Sequence, residues 1–181
     1  NKDLSLVLAA LAEPVACCLI SIKKHYYNAN IPSISIIGGG PIGAILSTIL
    51  SIKYHSSKLN IFEPNIERRQ LLISKGIGDY WYENTKLFDN NAGGDLVFVA
   101  CSILEAQQEA LRIANHGGTV CLFGGINQRN NHPVLDSNLI HYKELCVYGT
   151  TGSDKKDVKE AVRLITQNQD LFQKIISKKF S

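Results

Sequence analysis

Methionine is absent from this chain, tryptophan occurs once, proline five times, and no two cysteines form a C-x-x-C pair. Without such a pair, a zinc ribbon and a dithiol redox site are excluded within these 181 residues. Blocks of one charge are also lacking apart from a short Lys178-Lys179 tail, and 19 basic against 16 acidic residues leave a net charge of +3. So thin a basic surplus excludes the electrostatic footprint of a nucleic-acid binder, and no polyanion partner is expected. There is no low-complexity tract and no repeat of solenoid period. Because the sequence opens on Asn1 and holds no methionine, we expect it to be a piece of a longer protein.

What is present is ordinary globular composition, 45% hydrophobic and 19% charged. At ~150 residues per domain the length predicts a single domain. The five cysteines are odd in number. Cys17 and Cys18 are adjacent, Cys101 and Cys121 lie in or at the end of apolar runs, and Cys146 lies inside one. They are expected to be buried, reduced thiols of a cytoplasmic protein. Leu4 to Ile22 is rich in apolar residues, but Asp3 stands where a signal peptide needs positive charge and Glu13-Pro14 interrupts the run. A soluble helix is expected there, neither a cleaved signal nor a membrane span.

Strands and helices alternate along the chain. A helix is expected from about Pro14 to Tyr27, ending before the turn-rich Asn28-Ala29-Asn30-Ile31-Pro32. Ser33–Ile37 is short, β-branched and stopped by three glycines, so it reads as a strand. Helix Pro41–Tyr54, strand Leu59–Phe62, helix Ile66–Lys75 and a short strand Asp79–Tyr82 follow. Asn90-Asn91-Ala92-Gly93-Gly94 leads into Asp95–Ala100, whose apolar run suits a strand buried on both faces. Helix Leu104–Asn115, strand Thr119–Phe123, a polar loop Asn127–Asn131, strand Glu144–Tyr148 and a long helix Asp154–Asn168, with Ser153 as its cap, complete the series. The alternation predicts an α/β Rossmann-type doubly wound parallel six-stranded sheet with helices on both faces, in the order 3-2-1-4-5-6.

One motif carries chemistry. Gly38-Gly39-Gly40-Pro41-Ile42-Gly43 fits G-x-G-x-x-G, follows a strand and opens a helix. Gly38 permits the tight turn, Gly40 lets backbone approach a pyrophosphate, and Gly43 lets the helix pack on the strand. The helix N-terminus offers unpaired N–H groups to phosphates. Glu63 follows the second strand, 20 residues past Gly43. A carboxylate there accepts from the adenosine ribose hydroxyls and repels a 2′-phosphate, so NAD is expected over NADP. Arg68 and Arg69, close behind, weaken that preference. Three further segments end strands on the same side: Cys101-Ser102, Phe123-Gly124-Gly125 and Gly149-Thr150-Thr151. Their small residues would let backbone reach a nicotinamide.

Other patterns are weaker. Tyr82-x-x-x-Lys86 follows the third strand, where a short-chain dehydrogenase acid–base pair follows the fourth. Ser21-x-x-Lys24 lies on the first helix without the context of an acyl-enzyme site. Cys101 has no histidine close in sequence to act as its base. His25, His55, His116, His132 and His141 are scattered, with no metal-pair spacing.

The run from Leu11-Ala12-Glu13-Pro14 through Ile36-Ile37-Gly38-Gly39-Gly40-Pro41-Ile42-Gly43, with Gly117-Gly118-Thr119-Val120, resembles the zinc-dependent medium-chain dehydrogenase/reductases. Asp136 to Glu144 looks most like their sorbitol (L-iditol) and threonine dehydrogenase branch. The resemblance covers nearly the whole chain but only the family's coenzyme-binding domain. It implies that residues 1–28 are a leading helix and hinge from a missing catalytic domain, 29–152 the sheet core, and 153–181 the final helix and start of a return segment. It implies a parent enzyme passing hydride between a secondary alcohol or polyol and NAD, with zinc held in the missing domain and a homodimer or tetramer pairing through the sixth strand. Glu13 is the residue the family places beside that zinc. Ser102 stands where the family has glycine, and His116 where proline is common. The fragment alone is expected to bind dinucleotide without turnover. The alternatives are a degenerate or regulatory nucleotide-binding module, and an S-adenosylmethionine-dependent methyltransferase, which shares a glycine turn followed by an acid.

Overall fold

The computed structural model describes residues 4–24, 31–87, 93–126 and 134–176. Six strands form one parallel sheet: β1 (Ser33–Ile37), β2 (Lys58–Phe62), β3 (Tyr80–Tyr82), β4 (Gly94–Val99), β5 (Ala114–Leu122) and β6 (Cys146–Gly149). Their order is β3-β2-β1-β4-β5-β6, as expected. The order reverses direction between β1 and β4, and such a switch opens a crevice at the strands' carboxyl ends.

The helices are α1 (Leu6–Ala9), α2 (Ala12–Lys23), α3 (Pro41–Lys53), α4 (Ile66–Ser74), α5 (Leu104–Ile113), α6 (Ser137–Tyr142), α7 (Lys155–Gln167) and α8 (Gln169–Ile175), with a 3-10 turn at Thr85–Leu87. Among the described residues no helix is long and apolar enough to cross a membrane.

The central strand explains the two-sided packing. Leu96 and Phe98 of β4 join Ile34, Ile36, Leu19, Leu46, Ile165 and Phe172 in one core. Val97 and Val99 face the other way, with Ile37, Phe62, Ala110, Leu111 and Val120. All four β4 residues are fully buried, so each face contributes apolar burial of about 1.5–3 kcal/mol per large side chain. On the first face α2 and α7 pack together, and Lys23 forms ion pairs with Asp157 and Glu160. Tyr148 Oη donates to the Ser21 carbonyl at 2.5 Å and Lys24 Nζ to the Gly149 carbonyl at 2.8 Å. These bonds fasten α2, which carries Glu13, to the end of β6.

Several boundaries differ from the sequence reading. The helix expected from Pro14 is α2, which begins at Ala12, and a short helix α1, capped by Ser5, precedes it. Its expected extension to Tyr27 and the break at Asn28–Asn30 lie outside the described residues, as do Asn90–Ala92, the loop Asn127–Asn131 and the chain's last five residues. Strand β5 begins at Ala114, five residues early. Gly94 pairs with Ala114, the register then shifts, and Leu96 pairs with Thr119. Gly117 (φ +70°) therefore sits within an irregular stretch of strand, while Asn115 Nδ2 donates to the Gly93 carbonyl and to Asp95. Helix α6, with no buried residue, has no apolar period to betray it; its signal is the Asp136 side chain, which accepts from the Asn138 and Leu139 amides. The cap of α7 is Asp154, not Ser153, because Asp154 and Asp157 form a reciprocal capping box. Asn168 then leaves helical geometry and α8 follows. Of the cysteines, Cys18 and Cys121 are buried as expected, Cys17 and Cys101 are half-buried, and Cys146 is exposed on the sheet edge.

Candidate functional site

The glycine turn joins β1 to α3 at the switch point. Gly38 takes φ +108°, which favours glycine, and its N–H donates to the Phe62 carbonyl at 2.8 Å. A β-carbon on Gly39 would meet the Leu72 and Glu63 side chains at 2.8 and 2.9 Å, and one on Gly43 would lie 1.9 Å from the Gly38 carbonyl oxygen. Gly40 differs. Its φ of −70° suits any residue, and among the described residues the one atom near its missing β-carbon is Arg68 Nη1 at 4.0 Å. Among the described residues nothing requires glycine at Gly40, whereas a ligand lying against the backbone would. Pro41 occupies the first turn of α3, where its missing N–H costs nothing.

Glu63 is buried at the end of β2. Its Oε2 accepts the Gly39 N–H at 2.9 Å, and its Oε1 accepts the Asn65 N–H at 2.8 Å. Arg68 Nη1 stands 3.5 Å from Oε2. Arg69 instead turns to the backbone, donating to the Glu63 carbonyl at 2.5 Å. The two arginines thus separate into one over the glycine turn and one engaged in local structure.

Two hollows flank the turn. The larger, about 440 Å³, is lined by Gly38, Gly40, Glu63, Arg68 and Cys101 of the expected residues. The smaller, about 240 Å³, brings together Glu13, Ile42, Phe123, Thr150 and Thr151, with Pro14, Cys17 and Gly152. Ser102, Gly124, Gly125 and Gly149 line neither. Gly124 has its own structural reason: a β-carbon there would lie 2.2 Å from the Cys101 carbonyl oxygen. Gly149 uses its carbonyl to hold Lys24. The sequence reading missed Glu83, Asn84, Thr85, Ile103, Glu105 and Glu109, all of which line the larger hollow. Glu83 to Thr85 follow β3 directly, so the carboxyl end of that strand was the signal; the α5 residues arrive only through the sheet order.

The reactive candidates are quiet. Burial raises the Cys101 thiol pKa, and the negative charge of Glu63 raises it further, against a bond to Ile103 backbone. Burial likewise raises Cys17, whose Sγ donates to Glu13 Oε1 at 3.3 Å. Neither thiol is a ready nucleophile. Tyr82 stacks on Phe62 with ring centroids 5.1 Å apart, and buried Ser21 donates to the Cys18 carbonyl. Among the described residues no group of three His, Cys, Asp or Glu side chains is placed to hold a metal ion. Glu13 and Cys17 are two potential donors where a catalytic zinc takes three protein ligands, so the described residues do not fit that metal.

No protein-family model matches the chain. The uncharacterized protein YggP of Escherichia coli K12 is 24% identical over 194 aligned residues, covering 89% of this chain and 45% of that protein. Among solved structures, S. aureus TarJ in complex with NADPH superposes with a TM-score of 0.85 at 19% identity, covering 97% of this chain and 55% of TarJ. A candidate zinc-binding dehydrogenase (gutB) from Clostridium scindens superposes with a TM-score of 0.80 at 21% identity, covering 98% and 51%. The chain spans about half the length of each of these proteins. The shared architecture is the Rossmann-type doubly wound α/β fold.

Proposed function

We propose that this chain binds a nicotinamide dinucleotide, NAD(H) in preference, across the carboxyl ends of its sheet, and that it is the coenzyme domain of an alcohol or polyol dehydrogenase. The observation that carries this reading is the pairing of a ligand-facing gap at Gly40 with a Glu63 carboxylate fixed beside it. The adenosine half would lie in the larger hollow. Glu63 would accept from its ribose while Arg68 and the α3 N-terminus face the pyrophosphate. The nicotinamide would enter the smaller hollow, between Ile42, Phe123, Thr150 and Thr151, with Glu13 at its edge. Bound there, the cofactor supplies hydride chemistry, and the protein supplies position and orientation.

Zinc, the substrate alcohol and most of the substrate pocket would belong to protein outside this chain. TarJ was crystallised with NADPH, which supports a nicotinamide cofactor and makes the choice between NADH and NADPH the sharpest question.

Calorimetric titration with NADH, NADPH and S-adenosylmethionine tests the reading. NADH is expected to bind, NADPH more weakly, and S-adenosylmethionine not at all. Glu63→Ala should lose at least about tenfold in NADH affinity, equivalent to ~1.4 kcal/mol. A folded chain that binds neither dinucleotide overturns the proposal. Polyol oxidation by the chain alone would overturn the assignment of the metal to other protein.

A further inference from the structure

We propose that Glu83 and Glu105 set the cofactor preference, by excluding a ribose 2′-phosphate from the larger hollow; the inference rests on the dinucleotide reading above. The carboxylate that sequence logic singles out is poorly suited to repel charge. Glu63 has a side chain only 3% exposed, and Arg68 stands 3.5 Å away. Both its oxygens already accept backbone N–H bonds, from Gly39 and Asn65. Its negative charge is answered on three sides, which makes it a fixed acceptor for a ribose hydroxyl. Glu109 is also compensated, by the Thr85 hydroxyl at 2.5 Å and Arg112 at 2.9 Å.

Glu83 and Glu105 are different. Both are exposed, both line the same hollow as Gly38 and Glu63, and neither has an ion-pair partner among the described residues. Glu83 stands just after β3 and Glu105 in the first turn of α5. Arg68 is the one cation among the described lining residues, and it already faces Glu63. The lining therefore holds four carboxylates and one guanidinium. A phosphate monoester brings about −1.5 to −2 charge at neutral pH, whereas a 2′-hydroxyl brings none and can donate to a carboxylate. Discrimination is thus divided: Glu63 positions the ribose, and Glu83 and Glu105 reject the additional phosphate. Because these two carboxylates face solvent, the rejection is sensitive to salt.

The test is fluorescence titration of the chain with NADH and NADPH, at about 20 mM and about 300 mM salt, on either side of the ~8–10 Å screening regime. Three proteins are compared: the parent, Glu83→Gln/Glu105→Gln, and Glu67→Gln as an exposed control that does not line the hollow. The expected result is a preference for NADH that narrows by about 2- to 5-fold per carboxylate removed at low salt. The change should come mainly through tighter NADPH binding. High salt should narrow the parent's preference in the same direction, and Glu67→Gln should leave it unchanged. A double variant that binds both dinucleotides with the parent's preference overturns the inference, as does a parent that binds NADPH at least as tightly as NADH at low salt. If the folded parent binds neither, the dinucleotide reading itself fails and takes this inference with it.

Discussion

Gly43 lies so close beneath Gly38 that a β-carbon on the former would sit 1.9 Å from the carbonyl oxygen of the latter. No rotamer relieves that contact, because the obstacle is backbone. Gly43→Ala must push α3 off β1, and we expect a loss of at least ~3 kcal/mol, read as a lower denaturant midpoint. Gly40→Ala is the counterpart. Its backbone angles tolerate alanine and the space is open, so stability should change by no more than about 1 kcal/mol. Dinucleotide affinity should nevertheless fall at least about tenfold, or ~1.4 kcal/mol. Equal effects of the two substitutions on folding would contradict this division of labour.

A second prediction concerns acid. Burial alone would raise the Glu109 pKa, but bonds from Thr85 and Arg112, with the charges of Arg112 and Lys86, outweigh it and hold the carboxyl below its ordinary 4.5. A depressed folded-state pKa means stability that is complete above the unfolded-state pKa and lost as pH falls through the folded one. The parent should therefore be more stable than Glu109→Gln at pH 7. That margin should shrink below about pH 4.5, the ordinary value, and vanish once Glu109 is protonated in both states. Chemical denaturation of both proteins between pH 7 and pH 3 measures it; a margin that grows on acidification would refute the assignment.

Lys143 closes the end of α5. Its ammonium donates to the carbonyls of Arg112 and Ala114, each at 2.7 Å, and of Leu111 at 3.3 Å. Leu111 and Arg112 are in the last turn of α5, where carbonyls lack helical partners and a cation complements the helix dipole, while burial and the charge of Arg112 lower the Lys143 pKa. Lys143→Met keeps the aliphatic stem and removes the donors. A loss of about 1–3 kcal/mol is expected, or roughly 3–10 °C in Tm. Unchanged melting would show that water replaces the ammonium at no cost.

The thiols give a fourth. Cys146 is exposed on edge strand β6, while Cys18 and Cys121 are buried and burial pushes Cys121 up to about 11. An aromatic disulfide reagent should modify Cys146 first and reach Cys18 and Cys121 only on unfolding. Among the described residues β6 is the last strand of the sheet, and an unpaired strand edge offers backbone groups to which a second copy could pair. We expect light scattering to report a dimer, with Cys146 labelling slowed as protein concentration rises. A monomer at every concentration would count against pairing at β6.

How far the sequence could be read follows from how local each signal is. Strand β1 was legible to the residue, because Ser33–Ile37 is β-branched and ends on glycine. The strand order followed from the alternation of elements. The start of β5 was not legible, since paired glycines normally interrupt a strand and only the register shift opposite Gly94 keeps this one continuous. Arg68 and Arg69 read alike in sequence; their separation depends on where a carbonyl and a carboxylate lie after folding. The glycine turn and Glu63 formed a recognisable pair because both lie within one β-α-β unit. Glu83, Glu105 and Glu109 come from elsewhere in the chain, and nothing local marks them as neighbours of Gly38.

The bond from the Gly39 amide to Glu63 spans 24 residues of sequence, and both its partners belong to the chain itself. It latches the turn after β1 to the turn after β2. Because it joins two parts of one chain, the conformational entropy of closing that latch belongs to the cost of folding. Its amide hydrogen is also a built-in gauge: the rate at which it exchanges with deuterated solvent tells how often the latch opens.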